Sequence, residues 1–330
     1  MKILRVGDPH VMVSNLKDSN ALMDFVVKTA RKEAVDQIEF LGDLFHTHAV
    51  KRIEVEHFWY HALSKCSEIV GKNSVVVLVG NHDQPGSKEK EQEMNALNVF
   101  RGIANIISEP TIVKNNIGYI PYMSDKDAFL QASAKLHEDG ATKLLVAHQT
   151  FTGATYENGF YAEDGIEPDL IHQENIISGH IHKQQNIGKC FYPGTPKWDT
   201  MSDANEDKGI WIFDHDGSGA VTNKVFISTK DIVTPIYKHT FEEGSEEPVL
   251  VDNARNYLEL VGKAAWITKM KKKYKGQAQI KARPTDRKSV KIERDGLMTV
   301  QSYIDKHFEP IDGVDKKDIK QYLEALNESA

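Results

Sequence analysis

The chain has 330 residues, 40% of them hydrophobic and 27% charged, with a formal net charge of -7. This suits a soluble globular protein of one or two domains and excludes a collagenous, low-complexity or disulfide-built chain; the two cysteines, Cys66 and Cys190, read as small buried thiols in a reducing cytoplasm. The longest purely apolar run, Val75–Val79, is far short of the ~20 residues that span a bilayer, and the charged start (Lys2, Arg5, Asp8) predicts no secretory leader.

In chain order, Lys2–Gly7 reads as a strand. Asp18–Ala34 reads as a helix, because Leu22, Phe25, Val26, Thr29 and Ala30 recur at spacings of three and four. Gln37–Leu41 is a strand, Ile53–Val70 a helix with Phe58, Ala62 and Ile69 on one side, and Val75–Val79 a strand covered on both faces. Ile117–Ile120, Leu144–Ala147, Ile176–Ser178, Phe191–Tyr192, Ile210–Phe213 and Val225–Ile227 complete the strand candidates. Strand–helix alternation followed by a strand-rich half predicts a layered α/β fold with two sheets. The polar stretch Glu242–Pro248 marks a boundary. Beyond it, Tyr257–Val261, Ala264–Tyr274 and Ala278–Ala282 read as a small βαβ-like unit. Pro284–Gly296 reads as a linker and Thr299–Leu326 as two short amphipathic helices.

Charge is unevenly placed. Between Lys263 and Arg294 lie twelve of the chain's 41 Lys/Arg but only two of its 48 Asp/Glu. A basic block on an acidic body suits a localised polyanion contact, although a lone charge run is more often a solvated face.

Five clusters carry chemistry, each just after a strand candidate: Asp8-Pro9-His10, Gly42-Asp43-Leu44-Phe45-His46, Gly80-Asn81-His82-Asp83, Ala147-His148 and Gly179-His180-Ile181-His182. Loops at the carboxyl ends of strands converge in α/β sheets. Period two along extended backbone would put both side chains of Asp-X-His and His-X-His on one face. A mixed set of carboxylate, amide and imidazole ligands suits manganese, iron or zinc better than calcium. One carboxylate bridging two ions is the arrangement of two-metal phosphoryl chemistry. Any one cluster alone is more often a turn or a satisfied polar residue; five in this order are hard to obtain by chance.

In that order the clusters resemble the signature of the calcineurin-like metallophosphoesterases over about residues 1–230. A narrower likeness is to the SbcD-type nuclease subunits of SMC-ATPase/nuclease recombination and double-strand-break repair complexes, especially their phage versions. It rests on Phe40–His46, Tyr192-Pro193-Gly194-Thr195-Pro196, the run Gly209–Asp214 and the stretch Asn158–Asp169. One departure is Val11-Met12, where those proteins carry Leu-Gly. The resemblance implies two central mixed sheets flanked by helices (residues 1–235), a small α+β DNA-capping domain (250–285) and C-terminal helices that bind the ATPase (297–330). It implies that Asp8, His10, Asp43 and His182 hold one divalent ion and Asp43, Asn81, His148 and His180 the other. Manganese is the expected metal, with magnesium, iron and zinc as alternatives. It further implies that His82 faces the scissile phosphate, that Asp83 orients His82, and that His46 sits beside the DNA backbone; the alternatives are a turn-stabilising hydrogen bond for Asp83, alone or with that role, and a supporting place behind the metal ligands for His46. His48, His57, His61, His137, His172, His215, His239 and His307 are read as ordinary histidines. Lys269, Lys271, Lys272, Lys273 and Lys275 are expected to touch DNA phosphates. The implied activity is 3′-to-5′ exonuclease on duplex ends and endonuclease on single strands, in recombination, repair and replication. The implied protein is a homodimer in the cytoplasm (the host's, if phage-encoded), with DNA and the ATPase as partners and no membrane. The alternatives are a stand-alone phosphatase or small-molecule phosphodiesterase, which would not need residues 240–330, and a scaffold with a vestigial site, which predicts missing ligands.

Overall fold

The computed structural model describes residues 1–48, 50–85, 94–113 and 116–286. The expected C-terminal helices (297–330) and most of the expected linker lie outside the described residues. The chain divides into two compact units.

The first unit (1–238 with 249–257) holds two six-stranded sheets. One contains β1 (Lys2–Val6), β2 (Gln37–Phe40), β3 (Val75–Leu78), β4 (Asn105–Ile107), β11 (Gly209–His215) and β12 (Val221–Ser228), in the order β12-β11-β1-β2-β3-β4. The other contains β5 (Thr111–Val113), β6 (Ile117–Ile120), β7 (Leu144–His148), β8 (Asn175–Gly179), β9 (Gln185–Ile187) and β10 (Cys190–Tyr192), in the order β5-β6-β7-β8-β10-β9. β1–β4 run parallel, as do β6–β8, while β11 pairs antiparallel to β1. The sheets are therefore mixed, as the resemblance implied.

Period-two alternation sorts the side chains into layers. Leu4, Val6, Ile38, Phe40, Val75 and Val77 face α1 (Leu16–Glu33) and α2 (Ile53–Val70). Ile3, Val76, Leu78, Ile117, Leu144, Val146, Ile177 and Phe213 form the layer between the sheets. Leu145, Ala147, Ile176 and Cys190 pack with Phe129 and Leu136 of α3 (Lys126–Gly140). The result is a helix–sheet–sheet–helix stack. α3 has no counterpart among the sequence expectations. Its buried stripe is only Phe129, Ser133 and Leu136, though Asp125 caps it by accepting from the Asp127 and Ala128 amides (3.0 and 3.1 Å). Both cysteines are buried, and burial pushes the Cys66 thiol up to about 12.

A polar network interrupts the layer between the sheets. Arg5 Nε donates to Glu39 Oε2 (2.6 Å), and an Arg5 terminal nitrogen lies 2.8 Å from His215 Nε2. Glu39 Oε1 accepts from Gln37 Nε2 (2.6 Å) and from the Tyr119 hydroxyl. Burial, and next the Arg5 charge, push His215 down to about 4, so its ring is neutral beside the guanidinium.

The second unit comprises residues 239–248 and the described residues from 258 onward. Its three-stranded sheet has the order β13 (Ile236–Glu242), β14 (Arg255–Gly262), β15 (Gln279–Pro284), with α4 (Ala264–Lys273) between β14 and β15 in sequence. β13 was not among the expected strands, so the small unit carries one strand more than the βαβ reading. Phe241, Leu258, Leu260, Ile267, Met270 and Tyr274 are its buried apolar groups. Among the described residues no helix is long and apolar enough to cross a membrane.

Arg5 and Glu39 are both fully buried, so removing one partner strands a charge. Glu39→Ala is expected to lower the free energy of unfolding by about 3–5 kcal/mol in a urea titration. A loss below ~1 kcal/mol would mean that Arg5 finds other partners.

Candidate metal centre

The site lies at the carboxyl ends of strands from both sheets. Asp8 and His10 follow β1, Asp43 follows β2, Asn81 follows β3, His148 ends β7 and His180 follows β8. All seven residues expected as metal ligands come together, although not by the extended backbone the spacing suggested. His10 (φ 41°), Asp43 (φ 51°) and His180 (φ 81°) have left-handed backbone. That conformation is strained for residues with a Cβ and clusters at functional sites. The turns, rather than a two-residue period, aim these side chains. Glycine makes room for them. Gly42 has φ 108°, and a Cβ there would lie 2.3 Å from His148 Nδ1; one on Gly80 would lie 2.2 Å from Asp43 Oδ1.

The donor atoms form two sets that share one oxygen. In the first, His10 Nε2 lies 2.8 Å from His182 Nε2 and 3.6 Å from Asp43 Oδ2. In the second, Asn81 Oδ1 lies 3.0 Å from His148 Nε2 and 2.8 Å from His180 Nδ1, and His148 Nε2 is 3.4 Å from Asp43 Oδ2. Ligands held about 2.1 Å from an ion sit about 3 Å apart around it, which is the spacing found here. Asp8 Oδ1 is buried with no hydrogen-bond partner, while its Oδ2 accepts from the His180 amide (2.9 Å). Converging lone pairs and an orphaned carboxylate oxygen fit a pair of divalent cations.

Neighbouring groups fix the donors. His148 Nδ1 donates to the Leu41 carbonyl (2.7 Å), which leaves Nε2 for a metal. Asp43 Oδ1 accepts from the His82 amide (2.8 Å), which leaves Oδ2 for bridging. His182 Nδ1 lies 3.3 Å from Glu157 Oε1, and the same oxygen accepts the His182 amide at 3.0 Å. Glu157 was not anticipated from the sequence: it lies 25 residues from His182, in a loop with no metal-motif spacing. Lys197 and Asp199, also unanticipated, form a buried ion pair, and Asn15 joins Asp199 Oδ1 (2.9 Å) to the His10 carbonyl (3.0 Å).

His82 stands beside the first donor set, with a ring nitrogen within 4.8 Å of donor atoms of His10 and Asp43. Its Nδ1 donates to the His46 carbonyl (2.5 Å). One expectation is corrected here. Asp83 takes the turn-stabilising alternative rather than holding the His82 ring. Its buried carboxylate accepts from the amides of Gly80 (3.0 Å) and Phe45 (3.2 Å), tying together the loops after β2 and β3. His48, read as an ordinary histidine, is exposed, with its ring 4.1 Å from that of His82 at 30°. His46 is half-buried, with its ring 5.5 Å from His10; what it visibly does is orient His82 through its carbonyl. Lys51 Nζ donates to the His82 carbonyl (2.7 Å) and steadies the same turn.

Electrostatics without a cation show what one must displace. Burial pushes Asp43 upward, but the imidazoles of His148, His10 and His82 outweigh it and hold the carboxyl well below its ordinary range. Burial lowers His148, yet Asp43, Asp8 and the Leu41 carbonyl carry it up to about 9. Burial and cationic His148 push His180 down to about 3. Burial, less the pull of His148, brings Asp8 up to about 6. His148 therefore holds a proton at pH 7 that a metal must expel.

Two outcomes are expected. Manganese affinity in isothermal titration should weaken as pH falls from 8 to 6, with proton release seen as a heat that depends on the buffer's ionisation enthalpy. Glu157→Ala should weaken manganese binding by about 10–100-fold; unchanged affinity would show that His182 needs no carboxylate partner.

Comparison with known proteins agrees with this geometry. Residues 1–184 match the family described as calcineurin-like phosphoesterase. The chain is 28% identical over 227 residues to the protein named "Putative phosphoesterase 244L" of Invertebrate iridescent virus 6, covering 64% of this chain and 75% of that one. It is 23% identical over 280 residues to the SbcD subunit of the SbcCD nuclease of Bacillus subtilis (strain 168), covering 69% and 70%. It is 22% identical over 235 residues to exonuclease subunit 1 of Enterobacteria phage T4, covering 65% of each. With the matched region spanning both donor sets, the chain belongs to the calcineurin-like phosphoesterases, a family of metal-dependent hydrolases with a dinuclear centre.

Proposed function

We propose that the chain is a DNA nuclease subunit that cuts phosphodiesters at a two-metal centre and works with an SMC-like ATPase. The observation that carries the chemistry is the pair of donor sets sharing Asp43 Oδ2, with His82 beside them. Two of the matched relatives are named as nuclease subunits, which supports a nucleic acid as the substrate. Asp8, His10, Asp43 and His182 would hold one ion, and Asp43, Asn81, His148 and His180 the other. When bound, such ions supply Lewis acidity toward the phosphate and ionise water near neutral pH.

The chain's own residues do the rest. The Nδ1–H bond to the His46 carbonyl leaves His82 Nε2 free for the substrate. Burial lowers the His82 pKa, while Asp43 and the His46 carbonyl pull it back up. An approaching phosphate adds negative charge that favours the imidazolium. As the water oxygen bonds to phosphorus and the ester P–O bond breaks, Nε2–H passes its proton to the leaving oxygen.

Polymer contact is assigned to α4. Lys269, Lys271, Lys272 and Lys275 are exposed, and Lys273 pairs with Glu247. Such lysines would bind phosphates without reading sequence. The same reading assigns ATPase docking to residues 297–330, and it takes manganese as the metal and a homodimer as the working form.

The test is cleavage of an end-labelled linear duplex with manganese, with EDTA, and with His82→Ala. Manganese-dependent degradation is expected, and His82→Ala should slow it by about 10²–10⁴-fold while still binding manganese. Hydrolysis of a small phosphodiester with no DNA cleavage, alone or with the ATPase, would replace this reading with a stand-alone phosphodiesterase.

A further inference from the structure

A cleft of about 570 Å³ opens beside the second donor set. Tyr122 joins the two: it lines the cleft, and its ring lies 5.7 Å from that of His180 at 31° and 6.3 Å from that of His148. Three more aromatic side chains, Tyr156, Phe160 and Tyr161, come from the loop between β7 and β8. Phe160 is 72% exposed and Tyr161 70%. The loop that carries them is held by its own backbone: Thr152 N–H to Ile166 O (2.9 Å), Gly153 N–H to Ala162 O (2.9 Å), Ala162 N–H to Ala154 O (2.7 Å) and Tyr156 N–H to Phe160 O (2.9 Å). Glu157 ties it to His182. Two adjacent aromatic rings are thus presented to water from a hydrogen-bonded turn at the mouth of a cleft. Such a surface has little to do in the fold and suits stacking.

The polar lining narrows the occupant. Gln149 spends its amide internally, donating to Met123 O (2.7 Å) and accepting from Thr150 N–H (3.1 Å). The rim carries exposed Glu163 and Asp164, and Lys126 is bonded to the Asp164 carbonyl. Carboxylates repel a phosphate backbone but tolerate an uncharged flat ring. We infer that this cleft takes the unpaired nucleobase next to the phosphodiester being cut, stacked on its aromatic rings and read without sequence preference. The inference rests on the nuclease reading and deepens it: the strand at the metal centre is single-stranded or frayed there. Base–aromatic stacking is sequence-tolerant, and losing it costs about 5–150-fold in affinity per base.

The experiment compares kcat and KM, with manganese, for an oligothymidylate and for an abasic strand of equal length. The proteins are wild type, the double variant Phe160→Ala/Tyr161→Ala, and the conservative double variant Phe160→Tyr/Tyr161→Phe. The double alanine variant should raise KM for the oligothymidylate about tenfold or more with kcat little changed. The conservative variant should behave as wild type, and the abasic strand should have the same KM with all three. An unchanged KM for the oligothymidylate, or an equal loss on the abasic strand, would overturn the inference and leave the nuclease reading standing. If wild type hydrolyses a small phosphodiester but cuts no nucleic acid, the nuclease reading falls and this inference with it.

Discussion

The crowding of buried ligand atoms at the strand ends is the constraint to which the rest of the first unit answers. His10 and His182 present Nε2 atoms 2.8 Å apart, and Asn81 Oδ1 sits between nitrogens of His148 and His180. Water cannot relieve such crowding, because Asp8, His10, Asp43 and His148 are buried. A proton on His148 and hydrogen bonds among these atoms satisfy part of it; a pair of cations would take the proton's place. Holding the donors in register meanwhile needs left-handed backbone at His10, Asp43 and His180, which costs of order 1–3 kcal/mol each. That strain persists only because the surrounding structure over-determines it.

The over-determination is visible in the bonds between loops. Asp83 ties the loop after β2 to the turn after β3. Asp8 holds the His180 amide across 172 residues of chain, and Leu41 holds His148 across 107. Glycines at 42 and 80 let these loops approach within distances that a Cβ would forbid. Below the loops, the stacked sheets and the Arg5–Glu39 pair fix the strand ends from which the loops spring.

The proposed nuclease activity would also require a grip on the polymer. Exposed lysines on α4 suit phosphates, and the aromatic cleft suits bases. Neither kind of contact distinguishes one base from another. Under the proposed function, the two together would recognise the form of a nucleic acid rather than its sequence.

Much of this was legible in the sequence. Apolar runs such as Val75–Val79 and the three–four spacing of Leu22, Val26 and Ala30 report local structure, because side-chain direction repeats every two residues in a strand and every 3.6 in a helix. The five clusters were legible because each lies at the end of such a run. α3 and β13 were not: a three-residue buried stripe and the partly alternating Ile236–Glu242 carry too little apolar signal. The tertiary structure alone decided which carboxylate serves which histidine. Asp83, next to His82 in sequence, turns to the backbone of Gly80 and Phe45, while Glu157, from a distant loop, reaches His182. It also brought the His48 ring against that of His82 and placed Tyr122, Phe160 and Tyr161 around one cleft. Chain neighbours share a local conformation, but partners across 25 to 172 residues meet only where two sheets bring their strand ends together.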